Sequence, residues 1–156
     1  MLRTTQNIDE ARKQIKKEIE ASKKLGSLGK EIILLSQDDE FNRKAIEIKG
    51  LNMLLINEEL GQRDYMKQRN SGLNEFLAKL AQKNNINIGI DIEHILNKSD
   101  VEKARALARL KQNLMLCKKA KAKLVFYTKD NNNPDKIALQ ALLLTLGADT
   151  GQASSS

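Results

Sequence analysis

The chain of 156 residues has no tryptophan, one proline, one cysteine and one histidine. With only three phenylalanines and two tyrosines, its core must be built from aliphatic side chains. The lone Cys117 excludes an internal disulfide and a cysteine-based zinc cluster, and we expect it to pack as a small apolar residue in a reducing compartment. The single histidine leaves the His-rich ligand patterns of metal-dependent hydrolases unfilled.

Long apolar runs are also missing. No segment approaches the ~20 apolar residues that span a bilayer, and the first seven residues lack the apolar stretch of a signal peptide. The glycine-rich nucleotide-binding motifs and the G-x-S-x-G motif do not occur, so nucleotide binding and serine hydrolysis have no support. We therefore expect a soluble, cytoplasmic protein with no membrane partner.

Positive charge is in excess and is concentrated in one part of the chain. Lys and Arg number 27 against 20 Asp and Glu, a formal net charge of +7, and between Val101 and Lys129 nine basic residues face Glu102 alone. A local positive field of this kind suits a polyanion such as RNA. A solvated basic face is the alternative, and charge alone does not decide between them.

Apolar periodicity predicts helices that alternate with short strands. Helices are expected over 8–25, 41–48, 71–83, 99–120 and 137–146, and strands over 32–35, 53–56, 86–92 and 124–127. This order predicts an α/β protein with a parallel sheet, either TIM-barrel-like or open. A complete barrel needs ~250 residues and opens on a strand, so any barrel here is partial. We expect one domain over 1–148 and a disordered tail over 149–156.

The helix over 99–120 carries most of the excess charge. Ser99 to Glu102 form a capping box at its start. Its apolar arc is predicted to include Ala104, Leu107, Ala108 and Leu114, with Arg105 and Arg109 on the opposite side.

Carboxylates follow several of the predicted strands, where parallel α/β folds place functional groups. They are Asp38, Asp39, Glu58, Glu59 and Asp91, with His94 close by. A metal-dependent phosphoesterase is therefore one alternative function. The interpretation we favour is that Asp38, Asp39, Glu58 and Glu59 are helix-start and loop carboxylates, which helix dipoles stabilise, and that His94 is a loop or strand-end residue.

The segment from Gln62 to Gly72, QRDYMKQRNSG, is basic and precedes a predicted helix with Ser71 as its N-cap. Arg63, Lys67 and Arg69 thus approach free backbone N–H groups, an arrangement that can clamp a phosphate. The alternative is a solvated loop with Ser71 acting only as a cap.

The sequence resembles archaeal ribonuclease P protein component 3, the counterpart of a eukaryotic ribonuclease P subunit. The resemblance extends from about Glu31 to Leu146. Its best stretches are Arg69–Asn74 (RNSGLN), Leu77–Ala81 (LAKLA), Lys83–Asn85 (KNN) and Ile88–Ile90 (IGI), with further similarity at Asn42–Ala45, Leu51–Leu55, Ala104–Leu116 and Lys123–Val125. The family usually begins with an extra strand and helix that are not recognisable here.

The resemblance implies a TIM-barrel-like fold without barrel catalysis and a non-catalytic role in the ribonuclease P ribonucleoprotein. The implied partners are the ribonuclease P RNA, precursor tRNA, protein component 2 and other ribonuclease P proteins. The protein would bind no cofactor, and magnesium would belong to the RNA, which removes the 5′ leader. A protein-only scaffold, with incidental RNA contact, remains a further alternative.

Two groups of residues form the predicted RNA-binding surface. The first is an RNA-facing loop of Arg63, Lys67, Arg69, Asn70 and Ser71. The second is a supporting electrostatic surface of Arg105, Arg109, Lys118, Lys119, Lys121 and Lys123.

Overall fold

The structure is a computed structural model that describes residues 2–3, 7–25, 31–57, 64, 69–128, 135–149 and 151, of which 2–3 and 22–25 are described by their backbone alone. Its elements, in chain order, are β1 Leu2–Arg3, α1 Ile8–Leu25, β2 Ile33–Leu35, α2 Asp39–Ile46, β3 Met53–Ile56, α3 Glu75–Lys83, β4 Asn87–Asp91, α4 Ile92–Leu96, α5 Asp100–Ala120, β5 Leu124–Tyr127 and α6 Lys136–Leu146.

The five strands form one parallel sheet in the order β1-β2-β3-β4-β5, so each strand pairs with the strand that follows it in the chain. Connections that all step in one direction place their helices on one face, as in a TIM barrel and unlike a doubly wound sheet. The predicted parallel α/β fold is confirmed. The predicted opening on a helix is wrong, because β1 precedes α1 and pairs with β2 at Leu2↔Ile33.

The main core lies between the sheet and its helices. From the sheet, Leu34, Leu54, Ile88 and Ile90 are fully buried. The helices supply the facing residues Ile15, Ala45, Leu77, Ala81, Leu110 and Leu114. Aliphatic side chains dominate this core, as the scarcity of aromatic residues predicts.

The opposite face of the sheet buries a smaller apolar cluster. Ile33, Met53 and Leu55 form it, with Val125 and Tyr127 partly buried beside them. Gly89 lies under this cluster, and a Cβ built on it would come within 2.5 Å of Met53 Sδ. Among the described residues, no helix is long and apolar enough to cross a membrane.

Several predicted helix ends are confirmed. Asn7 accepts a hydrogen bond from the backbone N–H of Asp9 at 2.9 Å, and α1 ends one residue before Gly26. Gly147 ends α6 in the left-handed conformation, with φ +101°. The short helix α4 was not predicted, because its five residues are fewer than two turns and carry no readable period.

The predicted apolar arc of α5 is wrong in part. Ala104 is exposed and Leu107 and Ala108 are only half-buried, whereas the core-facing stripe consists of Ala106, Leu110, Asn113, Leu114 and Cys117. Burial raises the pKa of the Cys117 thiol to about 12, so this residue packs as the predicted small apolar side chain.

Candidate nucleic-acid interface

A loop at the carboxyl end of the sheet carries the candidate site. The 69–74 loop, Arg69–Asn74, enters α3 and turns at Gly72, whose φ of +71° is the left-handed conformation that glycine adopts without strain. A Cβ built on Gly72 would lie 3.4 Å from Ile56 Cγ2 and 3.9 Å from Ser36 Oγ. The loop therefore packs where β2 and β3 end, the end at which parallel α/β folds place their functional groups.

Gln112 of α5 holds the first residues of this loop. Its Oε1 accepts a hydrogen bond from the Arg69 backbone N–H at 3.1 Å, and its Nε2 donates to the Arg69 carbonyl oxygen and to Ser71 Oγ, both at 2.9 Å. One side-chain amide thus satisfies both backbone groups of Arg69, as a neighbouring strand would. Beside it, Asn113 Nδ2 donates to the Ser71 carbonyl oxygen at 3.3 Å.

Asp64 forms a second attachment. Its Oδ1 accepts from the Asn70 backbone N–H at 2.9 Å and from Arg109 Nη2 at 3.1 Å, while Oδ2 lies 3.5 Å from Arg69 Nη1. Burial tends to raise the pKa of Asp64, but the hydrogen bonds from Asn70 and Arg109 outweigh it and lower that pKa below its usual value. The carboxylate therefore neutralises much of the positive charge of Arg109, a predicted RNA contact.

The predicted N-cap of α3 is wrong. The cap is Asn74, whose side chain accepts from the Leu77 backbone N–H at 2.9 Å, and α3 begins at Glu75. Ser71 is buried, and its hydroxyl donates to the Leu73 carbonyl oxygen at 3.3 Å while accepting from Gln112. Ser and Asn cap equally well, so the loop's contacts decide between them.

The remaining residues of the predicted loop are placed differently. Arg69 is exposed and Asn70 is half-buried. Arg63 and Lys67 lie outside the described residues, so their place in the loop stays a prediction. The structure thus brings Arg69, Asn70 and Ser71 onto the middle of α5.

The predicted supporting surface runs along α5 and its C-terminal end. Arg105 lines a surface depression of about 450 Å³ with Arg69, Val101, Ala104, Ala108 and Asp100. From Arg105 to Lys121 the helix advances 16 positions at about 1.5 Å each, or about 24 Å. Arg105 therefore lies beside the 69–74 loop, whereas the lysines lie farther along the helix.

The lysines surround a second depression, of about 270 Å³, at the C-terminal end of α5. Lys118, Lys121 and Lys123 line it together with Asp149, which lies 3.8 Å from Lys118 Nζ. Lys119 instead contacts Glu75 at the start of α3, with Nζ 2.8 Å from Oε2. Asp149 was assigned to the predicted tail, most of which lies outside the described residues.

Two of the strand-end carboxylates considered for a metal site, Asp38 and Asp91, are helix N-caps in the structure. Asp38 Oδ1 accepts from the Phe41 backbone N–H at 2.8 Å, and Asp91 Oδ1 accepts from the His94 backbone N–H at 2.9 Å. The helix-start interpretation is confirmed for Asp38 and for Asp39, which lies in the first turn of α2, whereas Glu58 and Glu59 lie outside the described part. The expected loop or strand-end position of His94 is wrong, because this residue lies within α4. Among described side chains, no three metal-ligating groups come together. That the protein binds no metal stays a prediction.

Sequence reasoning missed Gln112, Asn113 and Asp64. A signal existed for Asn113, because an amide within the stripe Leu110, Asn113, Leu114 needs a buried partner. Asp64 was the one acidic residue of the Gln62–Gly72 segment, which also marks it as a partner for the surrounding cations. Gln112 gave no local signal.

No family model matches the chain. Similar curated proteins include two that are named ribonuclease P protein component 3. The one from Methanocaldococcus jannaschii is 33% identical over 110 residues, which are 69% of this chain and 44% of that protein. The one from Methanococcus vannielii is 27% identical over 88 residues, which are 56% of this chain and 35% of that protein. The chain is a homologue of archaeal ribonuclease P protein component 3.

The resemblance predicted from the sequence is thereby confirmed. This component 3 homologue spans less than half the length of the two curated relatives. A chain in a solved cryo-EM structure of archaeal ribonuclease P with mature tRNA has the same fold, with a TM-score of 0.70 and 24% identity over 99% of this chain and 61% of that chain. That likeness supports the TIM-barrel-like arrangement of parallel strands and outer helices.

Proposed function

We propose that this component 3 homologue is a protein subunit of ribonuclease P. It binds the catalytic RNA in the cytoplasm and supports the removal of 5′ leaders from precursor tRNA, together with protein component 2 and other ribonuclease P proteins. The chemistry and its magnesium belong to the RNA. The similarity to the Methanocaldococcus jannaschii protein carries this proposal, because it extends over 69% of the chain.

The charge distribution of the described residues supports RNA as the partner. Arg105, Lys121 and Lys123 are exposed, and none of them is in an ion pair with another described residue. Lys118 and Lys119 are also exposed but have carboxylates nearby. When exposed, uncompensated cations of a protein neutralise phosphates, the counterions condensed on the RNA are released, and this release is the main source of affinity for RNA.

Within the proposed surface, the structure favours different roles for different residues. Arg69 and Arg105 are exposed beside the same depression and suit phosphate contact, although Arg69 Nη1 also lies 3.5 Å from Asp64 Oδ2. Arg109 is engaged by Asp64, and the Ser71 hydroxyl is engaged inside the protein, so both suit support of the loop. Arg63 and Lys67 remain proposed contacts from the sequence alone.

A salt titration of RNA binding tests the proposal. The triple variant Arg105→Ala, Lys121→Ala, Lys123→Ala should flatten the slope of log affinity against log salt by about two to three units if all three contact phosphates. The matched control is Lys13→Ala, Lys16→Ala, Lys17→Ala, which removes the same charge from exposed positions on α1. Equal salt slopes for the two triple variants would show that RNA binding depends only on the net charge of the protein, which would contradict the proposed RNA-binding surface.

Reconstitution tests the assignment to ribonuclease P. The chain is mixed with the catalytic RNA, with and without a component 2 homologue, and precursor-tRNA cleavage is measured. We expect the two proteins together to raise cleavage by the RNA and the chain alone to cleave nothing. Cleavage by the chain without RNA would favour the phosphoesterase alternative. Binding to component 2 without effect on the RNA would favour a protein-only scaffold.

A further inference from the structure

The 69–74 loop is fixed mainly from outside itself. Within the loop, the Ser71 N–H donates to the Arg69 carbonyl oxygen at 3.1 Å and the Ser71 hydroxyl donates to the Leu73 carbonyl oxygen at 3.3 Å. Further contacts come from Asp64, from α2 through Asn42 Nδ2 to the Gly72 carbonyl oxygen at 3.5 Å, and from α5. A loop held in this way keeps its conformation only while those partners remain.

Among these partners, Gln112 makes the most contacts with the exposed end of the loop. Its amide pairs with both backbone groups of Arg69 and reaches Ser71 Oγ, so it fixes two of the three residues from 69 to 71. The pairing leaves the Arg69 side chain exposed, beside Arg105 in the depression on α5. Gln112 thus holds the backbone of Arg69 without covering its guanidinium, which is about half exposed and whose ion pair with Asp64 is long at 3.5 Å.

We infer that Gln112 is a positioning residue for RNA binding: it holds the Arg69 backbone so that the guanidinium faces the RNA together with Arg105. The inference rests on the proposed function and assigns no RNA contact to Gln112 itself. A cation that is ordered before binding loses less conformational entropy when it meets a phosphate. Gln112 therefore contributes to affinity through order, and Arg69 contributes through charge.

Loss of ordering by Gln112 and loss of the Arg69 charge should affect the affinity for RNA and its salt slope differently. Gln112→Met keeps the length of the side chain and removes its hydrogen bonds, so we expect RNA binding to weaken by about tenfold, the ordering cost of one residue, with the salt slope unchanged. Arg69→Ala should instead flatten the slope by about 0.7 to 0.9 unit. The matched control, Gln82→Met, makes the same replacement at an exposed position of α3 and should change neither quantity.

Hydrogen exchange measures the ordering without RNA. The amide of Arg69 is bonded to Gln112, so its exchange in Gln112→Met should accelerate relative to wild type and to Gln82→Met, while the amides of β3 and β4 keep their rates. General acceleration throughout the sheet would show a global loss of stability and overturn the positioning role. So would unchanged exchange at Arg69.

The outcomes separate this inference from the proposed function. If the wild type binds the catalytic RNA and Gln112→Met binds equally well, the positioning role is wrong and the proposed function stands. If Gln112→Met flattens the salt slope as Arg69→Ala does, Gln112 is a contact and the role is again wrong. If the wild type does not bind RNA in the presence of a component 2 homologue, the proposed function fails, and the inference fails with it.

Discussion

Arg109 and Asp64 form a close ion pair between α5 and the segment before the 69–74 loop, with Nη2 3.1 Å and Nε 3.2 Å from Oδ1. The Arg109 side chain is only 16% exposed. Arg105, one helical turn earlier, is exposed and has no carboxylate within ion-pair distance among the described residues. Two arginines four positions apart on one helix thus differ in exposure and in charge compensation.

Alanine substitutions should separate a contribution of Arg105 to RNA binding from a contribution of Arg109 to stability. Arg105→Ala should flatten the salt slope of RNA binding by about 0.7 to 0.9 unit and change the free energy of unfolding by less than about 0.5 kcal/mol. Arg109→Ala should lower the free energy of unfolding by about 0.5 to 1 kcal/mol with little change in slope, because its charge is already engaged. Salt titration and urea unfolding measure the two quantities. Equal slope losses in both variants would contradict the assignment.

Most of the fold could be predicted because the core of the sheet is encoded locally. The alternation at Ile86, Ile88 and Ile90 and the apolar runs at 32–35 and 53–56 each identify a strand. The strand β1 could not be predicted, since its two residues, Leu2 and Arg3, are too few to show a period. Only their pairing with Ile33 and Leu34 makes them a strand.

The error on α5 has a different physical origin. Ala and Leu occupy several sides of this helix, so the sequence offers two overlapping apolar stripes. In the structure, the stripe through Ala106, Leu110 and Cys117 faces the core, and it includes the polar Asn113. Asn113 can be buried there because its side chain donates a hydrogen bond to the Ser71 carbonyl oxygen. Since 42 positions separate these two residues, the local sequence does not reveal the contact.

The candidate site was predicted only in part, because some of its features are local in the sequence and others come from distant residues. The segment containing Arg69 could be found because its cations and its Asn-Ser-Gly turn are adjacent in the chain. The contacts that fix it come from Gln112, 41 positions beyond Ser71, and no local pattern reports them. Composition therefore indicated the RNA partner that is proposed for this chain, while the packing of α5 determines the conformation of the site.

Replacing Asn74 tests the corrected start of α3. Asn74→Ala removes the acceptor for the Leu77 N–H and should lower the free energy of unfolding by about 1 kcal/mol. Asn74→Ser keeps an acceptor at the cap and serves as the matched control, which should remain close to wild type. Urea unfolding measures both. Equal losses from Ala and Ser would show that the cap does not depend on the side-chain acceptor.

Replacing Gly89 tests the small cluster on the face of the sheet opposite the helices. A Cβ at this position would lie 2.5 Å from Met53 Sδ and 3.1 Å from Leu55 Cδ1, so Gly89→Ala should lower the free energy of unfolding by about 1 to 3 kcal/mol. Met53→Ala removes the crowding atoms and leaves a cavity of its own. The double variant should therefore lose less than the sum of the single variants. Additive losses would mean that Met53 does not fill this space.

Acid titration tests the contact between α3 and α5. Hydrogen bonds from Lys119 and then Lys79 lower the pKa of Glu75 from 4.5 to about 2. A carboxylate whose pKa is lowered on folding stabilises the protein above its unfolded pKa, and this stabilisation is lost as the pH falls from about 4.5 to about 2. Wild type should therefore exceed Glu75→Gln in melting temperature at pH 7, and the difference should vanish near pH 2.

Salt provides the control for this pair. Glu75, Lys79 and Lys119 are all substantially exposed, so the stabilisation is small, and about 1 M salt should remove most of it at pH 7. Glu20→Gln, at an exposed position on α1, makes the same replacement outside the contact and controls for the loss of one negative charge. Because Lys119 also belongs to the proposed RNA surface, Glu75→Gln releases a cation there. RNA binding should then strengthen while the fold weakens, whereas weaker RNA binding would show that Glu75 positions Lys119 for contact.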